Sequence, residues 1–194
     1  MIVAAARKYG RVVQMGNQRR TSMREGIEVL HAGEIGEVRF ARAFYYASRK
    51  AIGTGALAAG PDLDFNLWQG PVPDERDMSS FVHYDWHWLW HWGNGELGNN
   101  GIHYLDVLRW GLKVRYPKRV TYNGGRYWFA DSQETPDTGT AVFDFGKVGM
   151  EWVQSSCVAR PAEKPIGECV FYGDNGSLAL AGANWTVYDP KGIK

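Results

Sequence analysis

The feature that most constrains this chain is the stretch from Asp85 to Trp110, where the sequence period changes partway along. Trp86, Trp88, Trp90 and Trp92 fall on every second residue, with His87, Leu89 and His91 between them. Successive side chains of an extended strand point to opposite faces, so a period of two predicts a strand. Gly93, Asn94, Gly95 and Gly98 then interrupt it, because glycine takes positive φ without steric cost. Asn99 or Asn100 is placed to cap a helix start by accepting orphan N–H groups. From Gly101 to Trp110 the spacing is helical: Ile102, Leu105 and Leu108 recur, while His103, Asp106, Val107 and Trp110 share one stripe. A strand end, a glycine turn and a helix start that together present an imidazole and a carboxylate are a good place for proton chemistry.

The flanks read as scaffold for that stretch. Met1 to Tyr9 resembles the last turns of an amphipathic helix stopped by Gly10, so the chain opens in mid-element. Arg11 to Met15 is a short buried-type strand ending at Gly16, which completes an αβ unit of the kind that builds parallel sheets. Thr21 or Ser22 is expected to cap a helix through about His31, with Glu25 in the capping-box position relative to Ser22. Glu37 to Tyr46 predicts a strand with Val38, Phe40, Arg42, Phe44 and Tyr46 on one face and Arg39, Ala41, Ala43 and Tyr45 on the other. Residues 51–62 read as a glycine-rich loop or flap, residues 67–73 as a rigid turn, and residues 74–80 as polar linker.

Beyond the central stretch the pattern turns to strands: Arg119 to Phe129, Gly139 to Phe145, Val148 to Val158, Gly167 to Tyr172, Ser177 to Leu180 and Trp185 to Tyr188. Short turns between sequential strands imply largely antiparallel pairing. The fold class expected is therefore α+β: an open, largely antiparallel sheet with helices on one face, preceded by a remnant αβ unit.

Composition narrows the partners. Twenty-two basic and 21 acidic residues leave a net charge of +1, so no broad field attracts nucleic acid or an anionic membrane. No apolar run is long enough to span a bilayer, and the start lacks a secretory pattern, so a cytoplasmic location is expected. Cys157 and Cys169 read as free thiols of a reducing compartment, pairing across adjacent strands being the alternative. Nine tryptophans are many for 194 residues and serve either as core or as stacking surface for sugar rings. His83, His87 and His91 are spaced by four, but on a strand they spread over too great a length for one ion, so no metal is expected. Hydrogen bonding to a polyol suits them better, with Trp86 and Trp88 faces under the ring and Asp85 or Glu96 adding contacts. Arg19 and Arg20 follow a strand end, where a phosphate of cofactor or substrate could sit; a solvated or ion-paired role is as good a reading. Residues 133–137 are a polar turn at a pocket edge or a plain loop. No G-x-S-x-G elbow supports covalent hydrolysis.

The run G-E-L-G-N-N-G-I-H-Y-L-D-V-L-R-W resembles the helix motif of the glucose–fructose oxidoreductase/inositol dehydrogenase/rhizopine catabolism (Gfo/Idh/MocA) family. V-V-Q-M-G-N-Q-R-R is similar to that family's last Rossmann strand and its exit into the second domain, and G-E-I-G-E-V-R-F-A-R to the opening strand of its substrate domain. L-W-Q-G-P-V-P and F-Y-G-D-N-G-S-L-A-L also resemble family segments. The resemblance implies a sugar or polyol oxidoreductase using NAD or NADP. Residues 1–18 would be the remnant of its dinucleotide-binding domain and residues 19–194 its substrate and oligomerisation domain. By the family pattern His103 takes the hydroxyl proton as hydride leaves, and Asp106 binds substrate or orients that histidine. Substrate contacts are expected from Asn99, Trp86, His87, Trp88 and Glu96, and cofactor contacts from Arg19 and Arg20.

Two departures matter. The G-x-G-x-x-G turn and the E-K-P segment that should precede Arg11 are missing; Gly93 to Gly98 spells the former without a βαβ unit around it, and Glu163-Lys164-Pro165 lies far downstream. The family's usual aspartate four residues before the histidine is Asn99 here. The substrate half is thus expected without its cofactor half, as a homo-oligomer joined through the open sheet. The alternatives are a non-catalytic sugar-binding or oligomerisation module, and a sugar hydrolase or lyase using the same pocket.

Overall fold

The structure is a computed structural model that describes residues 1–54, 62–73, 81–160 and 166–193. Helices α1 (Ile2–Tyr9), α2 (Arg19–Ser22) and α3 (Arg24–Ala32) lead into strand β1 (Val38–Tyr46). Then come α4 (Phe65–Gln69), a 3-10 turn (Asp85–Trp88), α5 (Gly95–Asn99) and α6 (Gly101–Gly111). Six strands complete the chain: β2 (Arg119–Gly125), β3 (Thr138–Asp144), β4 (Gly149–Ser155), β5 (Cys169–Gly173), β6 (Gly176–Ala181) and β7 (Asn184–Tyr188). All seven strands form one open sheet in the order β2-β3-β4-β1-β5-β6-β7. Among the described residues only β1 and β4 run parallel; every other neighbouring pair is antiparallel.

The strand period fixes two faces, and packing distinguishes them. Ala41 pairs with Met150 and Phe171, and Ala43 with Trp152 and Cys169, so these side chains share one face. That face is the core: Ile27 and Leu30 of α3 and Tyr104, Val107 and Leu108 of α6 pack onto Trp152, Phe171, Leu178 and Leu180. The small side chains of β1 leave room for the rings of Trp152 and Phe171 on either side of it. On the opposite face Phe40, Arg42, Phe44 and Tyr46 are only partly buried, Arg42 ion-pairs with its register partner Glu151, and Arg42 also stacks over Phe44.

Helix α6 is seated by close approach. A Cβ on Gly111 would lie 2.3 Å from Cε1 of Phe171 and 2.9 Å from Cδ2 of Leu30, so glycine lets the helix end touch sheet and α3 together. His31 Nε2 lies 3.1 Å from the Gly111 carbonyl, which ties α3 to the same point.

Several expectations are corrected. Residues 11–15 form no strand: Val12, Val13 and Met15 are exposed, and α1 buries no residue, because neither segment has a sheet to join among the described residues. Ser22 does not cap α3; its hydroxyl donates to the Arg19 carbonyl within α2, and α3 starts at Arg24 behind Met23. Neither Asn99 nor Asn100 makes a side-chain cap: Asn99 ends α5, and Asn100, the residue before α6, directs its amide to Glu96. Leu67, expected in a turn, lies in α4, which Asp64 caps by accepting from the Leu67 amide at 2.9 Å. Ile102 faces outward, the inner stripe of α6 being Tyr104, Val107, Leu108 and Gly111. Much of the expected flap over residues 51–62, and all of the linker over 74–80, lies outside the described residues.

The largest correction is at Trp86 to Trp92, which is not a strand. The chain makes a 3-10 turn and folds back, with the Leu89 amide donating to the Trp86 carbonyl at 3.2 Å and the Gly93 amide to the Leu89 carbonyl at 2.8 Å. The four tryptophans go to different surroundings. Trp86 and Trp92 pack edge-on against Trp68, with Phe65 stacked on Trp68; Trp88 is 2% exposed; Trp90 is 58% exposed. Gly93 closes this turn, since a Cβ there would be 2.4 Å from the His87 backbone.

Candidate functional site

The carboxyl end of β1 opens the site. Beyond Tyr46 the chain continues alongside β4, with the Ala47 amide donating to Ser155 O and the Arg49 amide to Ser156 O. This delivers Tyr45, Ser48 and Arg49 to one wall of a cavity of about 250 Å³. Trp88 and Tyr84 from the tryptophan turn, Glu96 and Asn99 from α5, and Asn100 and Ser156 complete the lining.

Arg49 holds this cavity in shape. Its guanidinium lies 4.2 Å from the Trp88 ring centroid, donates to the Lys50 carbonyl at 2.9 Å and to Cys157 Sγ at 3.1 Å, and bonds Gln133 Oε1. Gln133 in turn donates to the Thr135 carbonyl at 2.6 Å, while the Glu134 and Thr135 amides both donate to the Trp88 carbonyl. The polar turn over residues 133–137 is therefore a brace for Trp88. Asp137 anchors its far end by accepting from the Tyr127 amide and the Thr138 hydroxyl.

Glu96 is 1% exposed, and its carboxylate accepts from the Asn100 amide nitrogen. Burial raises its pKa and favours the neutral acid, against the opposing pull of that hydrogen bond and of Arg49. Burial likewise pushes the Tyr45 phenol up to about 12 and lowers the pKa of His87. The lining consequently offers several hydrogen-bonding groups, the Glu96 carboxyl and the Arg49 guanidinium.

Of the residues singled out from sequence, Asn99, Trp88 and Glu96 line this cavity. His103 stands one turn beyond Asn99, half-buried, and its Nδ1 is buried without a partner among the described residues. Asp106 points elsewhere: it accepts from Arg20 Nε at 2.6 Å and Nη2 at 2.8 Å and from Asn17 at 2.8 Å, and it makes no hydrogen bond to His103. It borders a separate groove of about 670 Å³ shared with Met15, Asn17, Leu97 and Ile102. Trp86 belongs to the Trp68 cluster, and His87 is buried with its ring centroid 4.1 Å from that of Trp88; neither lines the cavity. Arg19 ion-pairs with Glu168 at 3.0 Å and donates to the Tyr104 hydroxyl at 2.7 Å, and Arg20 is committed to Asp106. Sequence reasoning did not place Tyr45, Ser48, Arg49, Tyr84, Asn100 and Ser156 at the site: Asn100 stood out only as a cap, and the others come together only in the fold.

The glycines of Gly93-Asn94-Gly95-Glu96-Leu97-Gly98 do not form a dinucleotide cradle. They come after a 3-10 turn and enter a helix of five residues, and the space a Cβ would take at Gly98 is filled by the Asn94 side chain at 2.3 Å. A pyrophosphate cradle needs that space open beside a strand-to-helix turn, so these residues do not fit one.

An open, mostly antiparallel sheet covered by helices on one face, with a polar cavity between α5 and the end of β1, makes this an α+β domain. Residues 67–179 match the GFO/IDH/MocA C-terminal domain, and the chain belongs to that family. Known structures share the fold. The WlbA dehydrogenase from Bordetella pertussis, solved in complex with NADH and UDP-GlcNAcA, is 16% identical with a TM-score of 0.60 over 100% of this chain and 52% of its own. The aldose-aldose oxidoreductase from Caulobacter crescentus, complexed with glycerol, is 16% identical with a TM-score of 0.64 over 100% of this chain and 49% of its own. An oxidoreductase from Agrobacterium radiobacter, in complex with NAD+, L-tartaric acid and magnesium, is 17% identical with a TM-score of 0.58, covering 100% of this chain and 48% of its own. The chain thus spans about half the length of these structures. None of the curated proteins matches the sequence.

Proposed function

We propose that this chain is the substrate-binding part of a sugar or polyol oxidoreductase. The observation that carries this reading is the cavity over Trp88, whose polar lining includes Asn99, four residues before His103. A sugar hydroxyl held by Asn99 and Asn100 would place its proton toward the His103 imidazole, which accepts it as the carbon gives up hydride. His103 Nδ1, buried and lacking a protein partner among the described residues, supports an imidazole whose second partner lies outside this chain's own packing. Asp106 has a positioning role: through Asn17 and Arg20 it fixes α2 and the segment before it against α6. The hydride acceptor, a nicotinamide by family membership, belongs to a part of the enzyme that these residues do not form. The partly buried face of Phe40, Phe44 and Tyr172 is read as the contact with a second copy of the chain.

Saturation-transfer NMR of the chain with monosaccharides and polyols tests the reading, with NADH titrated in parallel. Saturable sugar binding that Asn99→Ala weakens while the fold is kept is the expected result. No sugar binding by the folded chain refutes the substrate role, and tight saturable NADH binding refutes the division of labour.

A further inference from the structure

Arg49 gives the cavity a charge that a neutral sugar does not need. A guanidinium keeps its proton in proteins and carries five donors. Three acceptors are present in the structure: Lys50 O, Gln133 Oε1 and Cys157 Sγ. All three are uncharged groups; burial pushes the pKa of the Cys157 thiol up, which keeps it protonated. Arg49 Nε is buried with no acceptor among the described residues. Among those residues no carboxylate makes an ion pair with Arg49. Glu96 and Asp85 act on the guanidinium only at longer range, and the Glu96 carboxylate is engaged by the Asn100 amide.

A half-buried cation with no ion-pair partner among the described residues is costly, and a ligand carboxylate would complete the pair. Charge-assisted hydrogen bonds from guanidinium to carboxylate are the strong ones, and the flat fork matches a carboxylate. Size narrows the ligand further. About 250 Å³ lies just below the range of pockets that hold drug-sized ligands, which suits one sugar unit and not a nucleotide-linked sugar within the cavity.

Resting on the substrate role proposed above, we propose that the substrate is a sugar acid of one monosaccharide unit, its carboxylate bound by Arg49 and its hydroxyls by Asn99, Asn100 and Ser48. The Arg49 guanidinium is anchored on Trp88 and braced by Gln133, so it is pre-organised to receive the carboxylate.

The test compares D-glucuronate, its methyl ester and D-glucose by saturation-transfer NMR on the folded chain at low salt. Glucuronate is expected to bind about tenfold or more tightly than either neutral ligand, the size of a charge-assisted contact. Arg49→Gln should bring glucuronate down to the level of the ester, and Arg49→Lys should retain part of the preference. If Arg49→Gln does not fold, the acid-against-ester comparison on the unmodified chain decides. Equal binding of acid, ester and glucose overturns the sugar-acid assignment and leaves the substrate role standing. Binding of none overturns both, and a preference for the acid that survives Arg49→Gln in a folded protein overturns the role of Arg49.

Discussion

Replacing Gly111 with alanine probes the contact that sets the height of α6, and with it His103, above the sheet. The new Cβ would sit 2.3 Å from Phe171 Cε1, 2.5 Å from its Cζ and 2.9 Å from Leu30 Cδ2, all within contact distances that real atoms avoid. Phe171 is fully buried and Leu30 is 4% exposed, so neither can swing into solvent. Inserting a methyl group into a packed core costs about 1–3 kcal/mol. Against this, alanine gains up to ~1 kcal/mol over glycine in helix propensity, and less at the last residue of a helix. The clash wins, leaving a net loss of about 1–2 kcal/mol, which for a chain of this size lowers Tm by roughly 2–8 °C. Gly16→Ala is the matched control: nothing lies within 4 Å of its Cβ position and its φ is not positive, so its Tm should be unchanged or slightly raised. Thermal unfolding followed by circular dichroism reads both. A Gly111→Ala protein that melts at or above the parent temperature would refute the close seating of α6 on β5.

Two further predictions concern groups at the margins of the site. Arg20, foremost through its hydrogen bonds, holds the Asp106 carboxyl below its ordinary pKa. A depressed folded-state pKa contributes stability that is present above the unfolded value of about 3.9 and is lost as pH falls through the folded value. Since Arg20 is half exposed, the gain is at the scale of surface pairs, about 0.5 kcal/mol. Asp106→Asn should therefore be less stable than the parent at neutral pH by urea unfolding, with the gap closing as pH falls through and below the ordinary carboxylate range; a gap that does not change with pH contradicts the pairing. On the open face, Phe44→Asp should shift a self-associated chain toward monomer in sedimentation velocity, because it buries a charge in the apolar contact; a parent chain that sediments as a monomer at high concentration ends that proposal.

The sequence carried the parts of this fold that depend on neighbours along the chain. Alternation set every strand from β1 to β7 to within a few residues, and helical spacing placed α6 from Gly101 onward. The strand expected at Arg11 to Met15 had the composition of one, yet a strand exists only where another offers its backbone groups. The alternating tryptophans misled for a related reason: a period of two also results when a folded loop sends successive rings to separate packing partners. Legibility at the site was equally uneven. Asn99 and Glu96 stood out through the α6 motif, whereas Arg49 has no sequence signature and gains its meaning from Trp88, Gln133 and Cys157, the latter 108 residues away.

What the sequence by itself determined was period and membership: which residues of β1 share a face, where α6 begins, and which family the pattern resembles. It did not determine which face is inside. Only the tertiary structure decided that Ala41 and Ala43 meet the helices while Phe40 and Phe44 face outward, because Trp152 and Phe171 on the neighbouring strands already fill the space that larger side chains on β1 would need. The same packing gathers the ends of β1, the tryptophan turn and α5 around one cavity, since burial depends on volume in three dimensions and not on order along the chain.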